Sequence, residues 1–344
     1  MRTSDFHYNL DPKNIAQFPA SPRDSSKLMI IDRKTGNLEE RNFCDIVDYL
    51  GENDVLVFNE TKVIKARLNG LIILNKGKEK EVEIFLLSQK GQNTWECAVF
   101  PGERLKIGRE IFFLNSNLKG IIKEITYSGR IIEFNLEGVE FLDEIDRIGS
   151  IPLPPYIVKG EQTLDQYNTI FAKEEGSAAA PTAGLHFTEG LIEKLVKKGV
   201  KIEKVLLHIG LGTFKPVQKE NIEEHIIHYE HIEINEETAD KLNKYKQEGK
   251  NIIAVGTTVI RTLESMTDMN GILNSGEKET NIFIYPGYNF KFINNIITNF
   301  HLPESSLIML ISAFYDREKL LEIYEYAQNN NYRFFSFGDA MFLR

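Results

Sequence analysis

An imidazole with its ordinary pKa of about 6.5 can take or give a proton near neutral pH, and three of this chain's seven histidines lie in unusual settings. His186 follows Ala178, Ala179, Ala180, Pro181, Thr182, Ala183 and Gly184 and is held between Leu185 and Phe187. Ordinary core would use larger apolar residues, each worth about 1.5–3 kcal/mol on burial, and a linker would be polar. Segment 176–188 therefore reads as backbone that something approaches closely. Thr188 and Glu189 then start a helix whose free N–H groups point back at that spot. A tight helix–strand crossing would use the same small residues. His208 precedes Gly210, Gly212 and Thr213, His301 follows Asn299, and Asp339 follows Gly338. Together these groups offer general acid–base chemistry.

The elements that must carry them read as α/β. Strands are expected at 202–208, 252–256, 281–285, 296–300 and 333–337. Helices are expected at 189–198, 236–248, 258–268, 304–314 and 316–328. Ahead of them, strands 28–31 and 55–58 flank a helix at 43–50. Such alternation implies a barrel-like or open, mostly parallel α/β sheet, with ligands at the carboxyl ends of the strands. Asn59 and Thr61 fall at one such end. Gly256, Thr257 and Thr258 fall at another, opening a helix that carries Arg261 and could hold a carboxylate. Simple capping by a threonine is the alternative.

Residues 62–150 differ in pattern. Six short β-branched or aromatic runs at 68–74, 81–87, 94–99, 110–114, 120–126 and 130–136 imply an antiparallel barrel or sandwich. This segment carries 14 Lys/Arg against 13 Asp/Glu, so the net charge of −9 comes from the rest of the chain. The expected organisation is an α/β domain of residues 1–61 plus 151–344 with a β-barrel domain of 62–150 inserted into it.

Composition excludes several classes. The acidic balance argues against a general polyanion binder while leaving room for a local basic groove. Cys44 and Cys97 form no metal spacing and fit a reducing compartment, where burial is expected for both. His225, His228 and His231 recur every three residues without a cysteine nearby, and no metal is expected there. No signal peptide or membrane-length apolar run is present, so a cytoplasmic protein with no membrane partner is expected. No phosphate-loop or nucleophile-elbow motif is present either.

In order along the chain stand QFP at 17–19, RDS at 23–25, VLVFN at 55–59, TKVI at 61–64 and PPYI at 154–157. AAAPTAGLHF at 178–187, HIGLGTF at 208–214, and Glu224, His225, His228 and Glu230 follow. AVGTT at 254–258, IFIYPG at 282–287, TNFHLPES at 298–305 and YRFFSFGDAM at 332–341 complete the set. Together these resemble the S-adenosylmethionine:tRNA ribosyltransferase-isomerase family of the queuosine pathway. The match runs from end to end and is weakest across 62–150. Departures are Val259 for a usual serine, Glu60 for aspartate or asparagine, Tyr229 for serine, and Phe100 for a basic residue.

The resemblance implies transfer and isomerisation of the ribosyl group of S-adenosylmethionine onto 7-aminomethyl-7-deazaguanine at the tRNA wobble position. Epoxyqueuosine-tRNA forms, and adenine and methionine leave. The sulfonium compound is a consumed substrate, so no cofactor is implied, and a monomer is expected. A base near the sulfonium would form an ylide at the adjacent ribose carbon. Adenine would depart, the amine would add, and ylide attack on the sugar aldehyde would expel methionine. His186 is the first expectation for that base or acid, with His208, His301 and Asp339 as further catalytic candidates. Pro181, Thr182, Gly184, Gly210, Gly212, Thr213 and Asn299 are expected to bind substrate. Arg261 with Gly256, Thr257 and Thr258 would take the methionine carboxylate, and Asn59 and Thr61 would line the same site. Arg23 and Asp24 would meet the acceptor base. Phe187, Phe214 or Phe300 would face the sulfonium, and a positive groove between the domains would hold tRNA. A methyltransferase or a non-catalytic RNA-binding module are the alternatives.

Overall fold

The computed structural model describes residues 1–74, 77–126, 129–158, 162–210, 217 and 219–344. The chain opens with β1 (Lys27–Ile31), β2 (Leu38–Asn42), β3 (Asp54–Asn59) and β4 (Thr61–Val63). A run of β5 (Arg67–Ile73), β6 (Glu79–Gln89), β7 (Thr94–Phe100), β8 (Glu110–Phe113), β9 (Lys119–Ile125) and β10 (Arg130–Phe134) follows, then α1 (Gly138–Ile148). The chain continues through β11 (Glu174–Ser177), α2 (Glu189–Lys197), β12 (Lys201–Leu207), β13 (Glu230–Ile234) and α3 (Glu236–Gln247). It then forms β14 (Asn251–Val255), α4 (Thr257–Met266), β15 (Gly276–Thr280), β16 (Asn295–Asn299), α5 (Ser306–Phe314), α6 (Arg317–Asn329) and β17 (Ala340–Leu343).

Nine strands form one open mixed sheet in the order β15-β13-β12-β3-β14-β16-β17-β1-β2. Its centre, β12-β3-β14-β16, is parallel. These strands are covered on both faces, which is why they read as continuous apolar runs. Val55 and Val57 point into one core with Ala254 and Ile296, while Leu56 and Phe58 point into the other with Ile253 and Ile297. That split is the two-residue period of a strand. Outside the centre β13 joins β12 and β15, β16 joins β17, and β1 joins β2 in antiparallel pairs, while β1 and β17 pair in parallel.

β5 to β10 close into an antiparallel barrel in the order β10-β7-β6-β5-β8-β9. Closure leaves no open sheet edge. Leu68, Ile84, Trp95, Ile122 and Ile132 fill it, joined by Phe141 and Ile145 of α1. Its two ends are stitched together by paired backbone bonds between Arg67 and Ser150, 3.2 and 2.8 Å. β4 and β11 pair in parallel beside that junction. A salt bridge of 3.1 Å from Lys90 to Glu279 ties the barrel to the edge strand β15.

Four expectations change. The strand expected at 281–285 lies at Gly276–Thr280, where a charged, exposed segment pairs with β13. The strand expected at 333–337 is a loop, with Phe335 at φ +70°, and the terminal strand is Ala340–Leu343. The helix expected at 43–50 is a short 3-10 turn, Phe43–Asp48. Cys44 is exposed, while Cys97 is buried in the barrel.

Candidate active site at the strand ends

The carboxyl ends of β14 and β16 meet the 3-10 turn Thr182–His186 and the start of α4. Between them lies a narrow cavity of about 80 Å³, lined by Pro181, Thr182, Gly256, Thr257, Thr258, Asn299 and His301. Gly256 caps α4 with φ +92°, a region that favours glycine. This turn aims the first N–H groups of a ten-residue helix at the cavity. Tyr156, Ile209, Ser305, Phe335 and Ser336 complete the wall. None of these five is among the site residues expected from the sequence, although each stands in one of the quoted motifs: Tyr156 in PPYI, Ile209 in HIGLGTF, Ser305 in TNFHLPES, and Phe335 and Ser336 in YRFFSFGDAM.

His186 sits directly behind this wall. Its Nε2 is 3.1 Å from Asn299 Nδ2 and its Nδ1 is 2.7 Å from Ser26 Oγ. The Asn299 amide also donates to the Phe335 carbonyl, 3.2 Å, while its oxygen accepts from Thr182 Oγ1, 3.2 Å. That network orients the amide so that it donates to Nε2, leaving His186 to donate from Nδ1 to Ser26. The ring stacks on Phe43 at 4.9 Å. Burial pushes its pKa down to about 3, with help from Arg333 and Arg23. Both nitrogens are thus occupied by neutral partners, and His186 does not line the main cavity.

His301 is different. It lines the cavity, and Nε2 lies 2.9 Å from Thr298 Oγ1. Nδ1 has no hydrogen bond among the described residues. Burial lowers its pKa to about 3, so the ring is neutral near pH 7. Its backbone is fixed by Tyr324 OH, which accepts from His301 N at 3.1 Å, and by Tyr8 OH, which donates to its carbonyl.

A second, larger cavity of about 760 Å³ opens between the barrel and the main sheet. His208 and Gly210 line it, while Ile209 between them lines the first. His208 is held by Thr61 Oγ1, 2.8 Å from Nδ1, and burial and His231 lower its pKa to about 4. Gly176, at φ +141°, makes room for that ring, since a Cβ there would come within 3.0 Å of it. Among the described residues that line this cleft, Lys90 is the one lysine or arginine. Lys90, already paired with Glu279, faces Glu96 and Glu230 as well.

Other candidates lie elsewhere. Arg261 is buried against Glu230 and lines neither cavity, so its charge is answered within the protein. Asp339 accepts from Lys27 N and Arg333 N, 2.9 and 2.8 Å, and ties the terminal loop to β1. Asn59 binds both backbone groups of Leu207, at 2.9 and 3.2 Å. Gly184 packs against Thr169. Arg23 donates to the carbonyls of Asp165 and Gln166, and Asp24 accepts from Thr188 Oγ1 at 2.9 Å. Phe187 is fully buried in one core, whereas Phe300, although buried in the other, also lines the first cavity. Gly212, Thr213 and Phe214 lie outside the described residues. His231 groups with Glu233 and Glu277, with ligand atoms within 4.8 Å of one another, at the sheet edge. Among the described residues no helix is long and apolar enough to cross a membrane.

The family described as queuosine biosynthesis protein matches residues 3–343. A protein of Acetivibrio thermocellus named S-adenosylmethionine:tRNA ribosyltransferase-isomerase is 50% identical over 345 residues, covering 100% of both chains. One of the same name from Fusobacterium nucleatum is 50% identical, covering 99% of this chain and 96% of its own. The crystal structure of S-adenosylmethionine tRNA ribosyltransferase from Thermotoga maritima is 36% identical and covers 99% of this chain and 100% of its own. Its TM-score is 0.57. With the similarity spanning the whole chain, sheet and barrel together, this protein belongs to the queuosine biosynthesis protein family.

Proposed function

We propose that this chain is an enzyme that transfers and isomerises the ribosyl group of S-adenosylmethionine onto 7-aminomethyl-7-deazaguanine at the wobble position of tRNA. The product is epoxyqueuosine-tRNA, and adenine and methionine are released. The observation that carries this reading is full-length identity of 50% to proteins named for that reaction. The strand-end cavity supplies groups suited to it. S-adenosylmethionine is consumed as a substrate, and the reading needs no resident cofactor. We place the protein in the cytoplasm as a monomer, with an α/β domain of residues 1–61 plus 151–344 and a barrel domain of 62–150.

In this reading the first cavity, at about 80 Å³ too small for the whole sulfonium nucleoside, takes its methionine and ribose end. The α4 N-terminus at Thr257 and Thr258 takes the methionine carboxylate in place of Arg261, because helix N–H groups need no counter-charge. His301 donates Nε2–H to Thr298 and keeps the Nδ1 lone pair, which removes the ribose proton next to the sulfonium. Burial that lowers its pKa to about 3 makes it a weak base, and the sulfonium lessens the demand on it by stabilising the carbanion formed. His186 acts as a positioning residue, holding the Asn299 amide toward the cavity. Phe300 lines this cavity as expected, and Tyr156 and Phe335, with ring centroids 4.7 Å apart, supply the rest of the aromatic wall in place of Phe187.

The test is product analysis after incubation with labelled S-adenosylmethionine and precursor tRNA. Free adenine and methionine are expected. S-adenosylhomocysteine would make the chain a methyltransferase, and no turnover with intact RNA binding would leave a binding module.

A further inference from the structure

We infer that the cavity between barrel and sheet is a docking site for unpaired nucleobases of the RNA, with Phe100 and Tyr229 as stacking platforms. This inference rests on the function proposed above. Both rings line the same cavity, one from the end of β7 and one from the residue before β13. Phe100 is 72% exposed and Tyr229 62% exposed, so each presents a bare aromatic face to water. Ile226, also exposed, extends the apolar wall. The volume of about 760 Å³ falls in the ~300–1,000 Å³ range of pockets that bury whole ligands.

The charges select bases over phosphates. A phosphate track needs unpaired cations, yet the lining lysine, Lys90, is latched to Glu279 with Glu96 and Glu230 nearby. The cleft's carboxylates are themselves engaged, Glu279 with Lys90, Glu230 with Arg261 and Gly210 N, and Glu96 with Thr126, so the exposed aromatic faces, which stack any base, dominate what the lining offers a ligand. A base seated against His208 and Gly210 also lies one residue from the nucleoside cavity, because Ile209 faces the other side. The two cavities thus place donor and acceptor back to back across residues 208–210.

Phe100→Ala and Tyr229→Ala test this in the full-length protein, using an anticodon stem-loop RNA carrying the acceptor base and the same stem-loop with an abasic loop. Each substitution is expected to weaken binding of the intact stem-loop about tenfold. The slope of log affinity against log salt and the Kd for S-adenosylmethionine should stay unchanged. Phe100→Tyr and Tyr229→Phe should restore binding, and the abasic loop should bind wild type and variants equally weakly. Unchanged binding by the double alanine variant would overturn the inference. So would a flattened salt slope in the variants, or equal wild-type affinity for intact and abasic loops. Adenine release is scored separately: its absence in wild type removes the proposed reaction, while the titration still decides the cleft.

Discussion

The two cavities share a wall yet are built in opposite ways. The first is a narrow cavity at the sheet ends where threonines, Asn299 and His301 stand among buried apolar and aromatic residues, and the groups behind it are locked by neutral hydrogen bonds, as in the Ser26–His186–Asn299 chain. The second is assembled from two separate modules and lined by exposed aromatic and apolar residues. The first has the rigidity that positions reacting atoms. The second offers broad faces that accept a large partner. Chemistry and macromolecular recognition are thereby assigned to different residues, and each can be perturbed without the other.

The largest effect should come from the first cavity. His301→Ala is expected to lower single-turnover adenine release by about 10²–10⁴-fold, the range for losing a general base, with stem-loop affinity unchanged. Full activity in a folded variant would move the chemistry away from this wall. Next in size is the buried pair beneath the second cavity. Glu230→Ala strands the Arg261 charge and should lower unfolding stability by about 3–5 kcal/mol, read from urea denaturation. A loss under 1 kcal/mol would show that the guanidinium finds another partner.

The smallest effect separates the two sides by pH. His186 and His301 have folded pKa values near 3, below the unfolded value near 6.5. The unfolded chain therefore binds more protons between those values, and stability is lost as pH falls through that window. Each buried histidine adds a slope of about 1.4 kcal/mol per pH unit. His186→Gln should remove one such contribution between pH 6 and 4, measured from urea midpoints. His225→Gln, at a half-buried position where burial and His228 also lower the pKa, should remove less. Equal slopes in both variants would contradict the buried, neutral assignment.

Much of this was legible in the chain itself. Val55 to Phe58 and Ile252 to Val255 are continuous apolar runs because their strands are covered on both faces. Thr188 signals its helix, and its Oγ1 accepts from Leu191 N. β2 left no trace, since all five of its residues are exposed and carry no apolar period. The aromatic run before Gly338 looks like a strand, but Asp339 holds it as a loop through bonds to Arg333 N and Lys27 N. Those partners are 6 and 312 residues away in sequence. Local pattern likewise placed His186, His208 and His301 at strand ends without revealing which nitrogens were occupied. Arg261 on α4 gives no local sign of its partner because Glu230 lies 31 residues upstream, on β13.

The most direct test of the divided site is one crossed titration. S-adenosylmethionine and the anticodon stem-loop are titrated separately into wild type, into Phe100→Ala/Tyr229→Ala, and into Leu307→Trp, which places a bulky ring at the first cavity. The tryptophan variant should lose affinity for S-adenosylmethionine alone, and the double alanine variant affinity for RNA alone. Loss of both ligands in either variant, or an exchange of the two effects, would contradict the assignment of nucleoside to one cavity and RNA to the other.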